Sequence, residues 1–287
     1  MRRRSFNNYL KIQHVGSLRR LRPAIRAQSA TRQVLSALWR YPLKPKARQA
    51  LLRPLDHPQA LKSRAQVDDA IDCVLGLGLH PHKGAEKNWD FLAAFSAILQ
   101  RHRPQDVVLD FGSGLRSVIL EWLHLYGYRH LHASDLNVIP RREGWIRYTQ
   151  QDLEQTTYPD AFADVITCLS VVEHGVNTTR MLAEASRVLR PNGLLLLSTD
   201  YWCEALDLKS VYDELGPVYI FSSDMLHAQL IAPASQFGLR VIGTPDLTCG
   251  DPVVERPQVP SIHQRYTFYF LAYERMTNEA NHLTSMR

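Results

Sequence analysis

The sequence predicts an α/β fold, a doubly wound and largely parallel sheet with helices on both faces. Three observations predict it. Val107-Val108-Leu109-Asp110-Phe111-Gly112-Ser113-Gly114 is a short apolar run that meets an acid and then Gly-Ser-Gly before a helical pattern begins, as in a buried parallel strand turning sharply at its carboxyl end. From Asp106 onwards, strand-like and helix-like segments alternate to the end of the chain. Asp135 closes the second such strand, 21 positions after Gly114, where an acid can accept hydrogen bonds from both hydroxyls of a ribose.

The elements follow in order. Residues 62–76 read as a helix with Val67, Ala70, Ile71, Val74 and Leu75 on one face. The polar stretch Gly78 to Asp90 comes next. Its His80 and His82 flank Pro81, a geometry that does not put both on one helix face for a metal. Lys87-Asn88-Trp89-Asp90 opens a second helix, with Trp89 read either as core or as the lip of a pocket, and Asp90 as a first-turn acid. Strand one is 106–111, and its following helix runs from Leu115 to Tyr126, presenting free N–H groups to the glycine turn. Strand two is His130 to Ser134, and strand three Trp145 to Thr149, leading to Asp152. Strand four, Ala163 to Leu169, runs into Ser170-Val171-Val172-Glu173-His174-Gly175. A helix from Thr178 to Leu189 stops at Pro191-Asn192-Gly193. The apolar strand five, Leu194 to Leu197, leads into Ser198-Thr199-Asp200-Tyr201-Trp202, and an irregular insertion spans 203–222. Ser222 or Ser223 caps a helix, Asp224 to Phe237, that Gly238 closes. Leu239 to Ile242 and Tyr266 to Tyr273 are the final strands.

Composition bounds the function. Of 287 residues, 45% are hydrophobic, enough for a core. No apolar run reaches the roughly 18 residues of a membrane span, and no secretory signal is visible, so a cytoplasmic protein is expected. Cys73, Cys168, Cys203 and Cys249 are scattered and read as reduced thiols, with no zinc spacing. The net charge of +6 is divided unevenly: residues 1–55 hold 14 Lys/Arg and no acid, so the other 20 bases meet all 28 acids. A basic arm (1–60), a mildly acidic domain (61–275) and a polar tail (276–287) are therefore expected. Three readings of the arm at 1–58 stand together: a solvated, partly helical extension, a basic helix on an anionic membrane surface or other acidic partner, and an organelle transit segment. Nucleic acid could be met electrostatically, but no base-reading motif is present.

Three details separate S-adenosylmethionine from a dinucleotide. Ser117 stands where a dinucleotide motif wants a third glycine. Asp110 immediately precedes the turn, where its charge repels a pyrophosphate and attracts an amino-acid ammonium. Asp152 then ends the third strand, within reach of an adenine amino group.

At these residues the chain resembles the class I S-adenosylmethionine-dependent methyltransferases, in the small-molecule branch that includes quinone and lipid methyltransferases. The segments that carry the resemblance are Asp110 to Gly114, Ser134-Asp135, Gln151-Asp152-Leu153, Phe162 to Ile166 with Ser170 to His174, and Arg187 to Gly193, in the family's order over roughly residues 84–245. The resemblance implies a Rossmann-like sheet of seven strands, the last antiparallel. It implies Asp110, Gly112, Ser113 and Gly114 around the methionine part of the cofactor, Asp135 and Leu136 at the ribose, Asp152 with Leu153 at the adenine, and Leu169 and Ser170 along it. Arg116 departs from the family's small residue. Asn192 replaces a common glycine and tolerates the same left-handed backbone. The His80–Asp90 stretch and Ser198 to Trp202 are similar to methyltransferases found with bacterial surface-polysaccharide and glycan genes.

The expected chemistry is methyl transfer to a small-molecule acceptor, most simply a hydroxyl of a sugar or glycan precursor. Aligning the acceptor is the larger contribution, up to roughly 7–11 kcal/mol, and a general base adds about 10²–10⁴-fold. His174 and Glu173 are the catalytic candidates, and Trp89, Tyr201, Trp202 and His227 the candidates for lining the acceptor pocket. Two other classes fit the sequence: a noncatalytic methyltransferase-like subunit, and an RNA-directed methyltransferase that uses the arm.

Overall fold

The computed structural model describes residues 50–206, 212–213, 216–258 and 262–277. The arm as far as residue 49, the middle of the 203–222 insertion and the tail from 278 lie outside the described residues. The chain enters through β1 (Gln59–Ala60), α1 (Arg64–Gly76) and α2 (Lys87–Arg101). It continues through β2 (Val107–Phe111), α3 (Val118–Leu125), β3 (His130–Asp135), β4 (Arg141–Glu143), β5 (Ile146–Gln150) and β6 (Ala163–Leu169). A 3₁₀ turn, Val172–His174, precedes α4 (Thr178–Val188) and β7 (Leu189–Tyr201). The two-residue strands β8 (Tyr212–Asp213) and β9 (Gly216–Pro217) pair with each other, and α5 (Ser223–Leu226), β10 (Leu239–Val241), β11 (Val254–Gln258) and β12 (Ile262–Arg275) complete the order.

The main sheet has ten strands, and its path runs β1-β12-β7-β6-β2-β3-β5-β4. β5, β3, β2, β6 and β7 are parallel, and β12 joins β7 antiparallel. With β10 against β12 these are the seven expected strands; β1, β4 and β11 are additions at the margins. The central parallel strands β2, β6 and β7 are largely apolar on both faces because helices cover both. β7 shows the division: Leu194 and Leu196 enter one core with α1, α2 and α3, while Leu195, Leu197 and Tyr201 enter the other with α4. The Trp122 side chain of α3 is wholly buried, edge-on to Phe91 and Phe95 of α2, and burial of this kind is worth roughly 1.5–3 kcal/mol per large side chain.

Local rules explain the helix ends. Ser63 caps α1 by accepting from the Gln66 N–H, and Asn177 caps α4 by accepting from the Arg180 N–H. The helix after the glycine turn starts at Val118, not at Leu115. Ser117 is extended there and its hydroxyl accepts from the Leu120 N–H, so the turn stays a loop as far as Ser117 and the helix's free N–H groups do not meet Gly112 to Gly114. The expected helix over 224–237 is also broken. It turns from α to a π turn at His227–Ile231 and a 3₁₀ turn at Ala232–Phe237, beside Pro233, which has no N–H to give. The last part of the basic segment, from Ala50, lies against the domain. Leu52 is buried, the Arg53 N–H donates to Ser96 Oγ at 3.0 Å, and β1 pairs with β12.

Candidate active site

The glycine turn lies at the carboxyl end of β2. Gly112 has φ +70°, and a Cβ on it would fall 2.5 Å from both methyl groups of Val171, so the position admits only glycine. Gly114 has φ +59° and nothing within 4 Å of where a Cβ would be, leaving its outer side open to a ligand. Its N–H donates to Asp135 Oδ2 at 3.0 Å, while Asp135 Oδ1 accepts from the Asn137 N–H at 2.8 Å. The expected pair of turn and acid is thus in contact at the sheet edge, and each carboxylate oxygen keeps a lone pair for a hydroxyl. The Gln151 N–H donates to the Asp135 carbonyl at 3.1 Å, which joins the ends of β3 and β5 and brings exposed Asp152 to the same edge. Leu136 is 58% exposed beside them, and Leu153 is buried.

A cleft runs from this turn to α2, lined by Asp110, Gly112, Ser113 and Gly114, by Arg116, Ser117 and Val118 that follow the turn, by Leu169 and Ser170 at the end of β6, and by His82, Lys87 and Phe91 from α2 and the loop before it. Asp110 is buried and accepts from the Thr167 hydroxyl at 2.6 Å. Burial pushes its carboxyl up to about 6, so it is ionised at neutral pH and can hold an ammonium. His82 Nδ1 accepts from the Gly84 N–H at 3.0 Å, and burial pushes the imidazole down to about 4, so it stays neutral. Its loop is held by the buried Asn88, which accepts from the His82 N–H and donates to the carbonyls of His82, Gly84 and Ala85. Arg116 is paired with Glu121, which also meets His80 Nε2 at 2.8 Å. Among the described residues no three His, Cys, Asp or Glu side chains gather as a metal site.

Behind Lys87 lies a buried group of acids. Its ammonium donates to Ser170 Oγ, sits 4.0 Å from Asp200 Oδ1 and rests 3.7 Å above the centre of the Phe268 ring. Asp90, Glu173 and Asp200 are 0%, 2% and 1% exposed. Thr199 Oγ1 donates to Glu173 Oε2 at 3.3 Å, and Ser198 Oγ to Asp90 Oδ2 at 2.6 Å. Burial first, and the Asp200 charge second, push Glu173 up to about 8, against which the Lys87 charge works. Burial likewise raises Asp90. Two close buried carboxyls cannot both ionise without compensation, so burial favours a protonated Glu173 beside an Asp200 carboxylate that the Lys87 ammonium faces. Ser170, which receives the Lys87 proton, has a left-handed φ of +56°, held by its N–H donating to Ser198 at the carbonyl (2.9 Å) and at Oγ (3.1 Å).

Several expected acceptor residues stand elsewhere. Trp89 is core, 7% exposed and edge-on to Phe270. Tyr201 is wholly buried on the opposite face of the sheet, its hydroxyl shared between the Leu247 carbonyl at 2.6 Å and Ser223 Oγ at 2.8 Å. The reason is strand parity: Tyr201 follows Asp200, so the two point to opposite faces. Trp202 packs on the first core, and His227 is exposed in the π turn. His174, in the 3₁₀ turn, is not among the residues lining the cleft, whereas its neighbour Glu173 is buried beside Asp200. Sequence reasoning missed Lys87, Asp90 and Asp200 as site residues. Lys87 and Asp90 are one helical turn apart on one face. Asp200 lies just past the apolar run Leu194 to Leu197, near the carboxyl end of its strand, as Asp135 lies at the carboxyl end of β3.

Residues 109–197 match the family model described as a methyltransferase domain. That part of the chain is a methyltransferase domain. Its curated relatives include a demethylmenaquinone methyltransferase of Deinococcus radiodurans, 30% identical over 138 residues, or 45% of this chain and 54% of that one. A ubiquinone/menaquinone biosynthesis C-methyltransferase of Vibrio vulnificus is 28% identical over 130 residues, 41% of this chain and 47% of that one. The chain thus spans about half the length of the curated relatives it matches. Among solved structures, the methyltransferase domain is similar to the Burkholderia thailandensis 1,6-didemethyltoxoflavin-N1-methyltransferase at 18% identity and TM-score 0.47, over 78% of this chain and 94% of that one. It is also similar to a Methanosarcina mazei methyltransferase at 14% identity and TM-score 0.45, over 63% and 98%. The geometry of the methyltransferase domain fits the cofactor: Gly114 leaves open backbone, and Asp110 and Asp135 put two carboxylates beside it, suited to an ammonium and a ribose.

Proposed function

We propose that the protein transfers a methyl group from S-adenosylmethionine to a hydroxyl of a small polar acceptor, most simply a sugar or glycan precursor. One observation carries the choice of a polar acceptor. Where the cleft reaches Ser170, its lining offers the Lys87 ammonium and the Ser170 hydroxyl, where an apolar ring would meet charge.

The glycine turn and Asp110 would hold the methionine part of the cofactor, Asp135 and Leu136 the ribose, and Asp152 and Leu153 the adenine. Bound there, S-adenosylmethionine supplies an electrophilic methyl group, whose bond to sulfur breaks with its electron pair as the acceptor oxygen bonds to carbon. Leu169 and Ser170 set the line along which the acceptor oxygen approaches. Holding that line is worth up to roughly 7–11 kcal/mol. The hydroxyl proton must leave, and the singly protonated Glu173–Asp200 pair has room for one more.

The test is a transfer assay with methyl-labelled S-adenosylmethionine and two sets of acceptors, nucleotide-activated or free sugars and quinol precursors. Label in the sugar fraction is expected. Label in the quinol fraction would replace this reading with carbon methylation.

A further inference from the structure

An acceptor lying in the cleft cannot touch Glu173 or Asp200, which are 2% and 1% exposed. Of the buried charge group, Lys87 and Ser170 are the members that also line the cleft. Lys87 therefore stands between the place an acceptor would occupy and the carboxyls that can store a proton. We propose that Lys87 is the acceptor-contacting catalytic residue, a lysine that takes the acceptor's hydroxyl proton while passing its own to the Glu173–Asp200 pair. The assignment rests on the methyltransferase reading above and names the residue that would do its proton transfer.

The geometry fixes Lys87 for this task from every side. From α2, Asp90 stands one turn along the same face and is anchored to Ser198 of β7. From the end of β6, Ser170 accepts a Lys87 proton and Glu173 follows three residues on. From β7 come Thr199, bonded to Glu173, and Asp200 at 4.0 Å from the ammonium. From β12 the Phe268 ring lies under the ammonium at 3.7 Å, and His82, in the loop before α2, is neutral. The protons balance. One N–H proton of the ammonium moves to the Asp200 carboxylate, and the resulting amine takes the acceptor's O–H proton as the oxygen gains the methyl group. Lys87 ends as an ammonium and the pair ends doubly protonated, to be reset by loss of one proton to water. Of the two cations that line the cleft, Arg116 is held by Glu121, and a guanidinium does not release its proton.

The experiment uses the full chain with Lys87→Met, Lys87→Arg and Glu173→Gln. Infrared titration of the carboxylic C=O band, without acceptor or cofactor, reads the buried pair, and the part lost in Glu173→Gln is assigned to it. In Lys87→Met that band should persist to a pH at least about one unit higher than in the wild type, because the compensating charge is gone; in Lys87→Arg it should stay near the wild-type position. Turnover of the sugar acceptor found in the screen should fall about 10²–10⁴-fold in both lysine variants, since arginine restores charge but not transfer. S-adenosylmethionine affinity should stay near that of the wild type. An unmoved band in Lys87→Met, turnover rescued by Lys87→Arg, or a large loss of S-adenosylmethionine affinity would each overturn the assignment, the last by giving Lys87 to the cofactor. A wild-type protein that binds no S-adenosylmethionine would instead overturn the methyltransferase reading, and the infrared result would stand apart from it.

Discussion

Ser198 donates its hydroxyl to the Asp90 carboxylate at 2.6 Å, joining residues 108 positions apart. The same hydroxyl oxygen accepts from the Ser170 N–H at 3.1 Å, so one side chain of β7 ties together α2, the end of β6 and its own strand. Lys87 owes its place to this joint. Asp90→Ala should lower stability by about 1–3 kcal/mol, because it leaves a buried donor without its acceptor. Asp90→Asn keeps an acceptor and removes a charge that burial disfavours, so it should cost clearly less. Urea unfolding of the two variants checks the order.

The two glycines of the turn make a paired test. Gly112→Ala meets both a left-handed φ and a Cβ 2.5 Å from Val171, whereas Gly114→Ala meets only the φ. The second should cost about 1–2 kcal/mol, and the first substantially more. Adding Val171→Ala should return part of the Gly112→Ala loss and none of the Gly114→Ala loss, as read by denaturant midpoints.

Glu173 gives a pH prediction. Its native carboxyl titrates at about 8, above the glutamate value of 4.5, so between those limits the native state binds more protons than the unfolded state. Stability contributed by this group is therefore full below about 4.5 and falls as pH rises to about 8, with a slope of at most about 1.4 kcal/mol per unit. Glu173→Gln should flatten that slope and become the more stable protein at pH 9. Melting curves at intervals from pH 5 to 9 decide it, and parallel curves would return Glu173 to an ordinary carboxylate.

Asp135 predicts cofactor binding. Asp135→Ala removes a charged acceptor expected for the ribose, worth about 1.5–3 kcal/mol, so calorimetry should show S-adenosylmethionine bound about 10- to 100-fold more weakly. The same change frees the Gly114 N–H, so an accompanying loss of stability should be small beside the loss of affinity.

Much of the fold was legible in the chain because it depends on local periodicity and on residues that act through the backbone. Val107 to Gly114 announces a buried strand and its turn, since only glycine takes the φ of +70° beside Val171. Asp135 is marked by its distance from that turn, and Leu194 to Leu197 by being apolar on both faces. Local pattern alone therefore specifies the parallel sheet, the glycine turn and the acids at its edge. The tertiary structure decided which side chains face the cleft. Strand parity sent Asp200 to one face and Tyr201 to the other, Ser117 started its helix late, and α2 delivered Lys87 to Ser170 across 83 residues. Such meetings leave no periodic trace, because they depend on where two distant elements pack, and burial among neighbours then sets the charge each group carries.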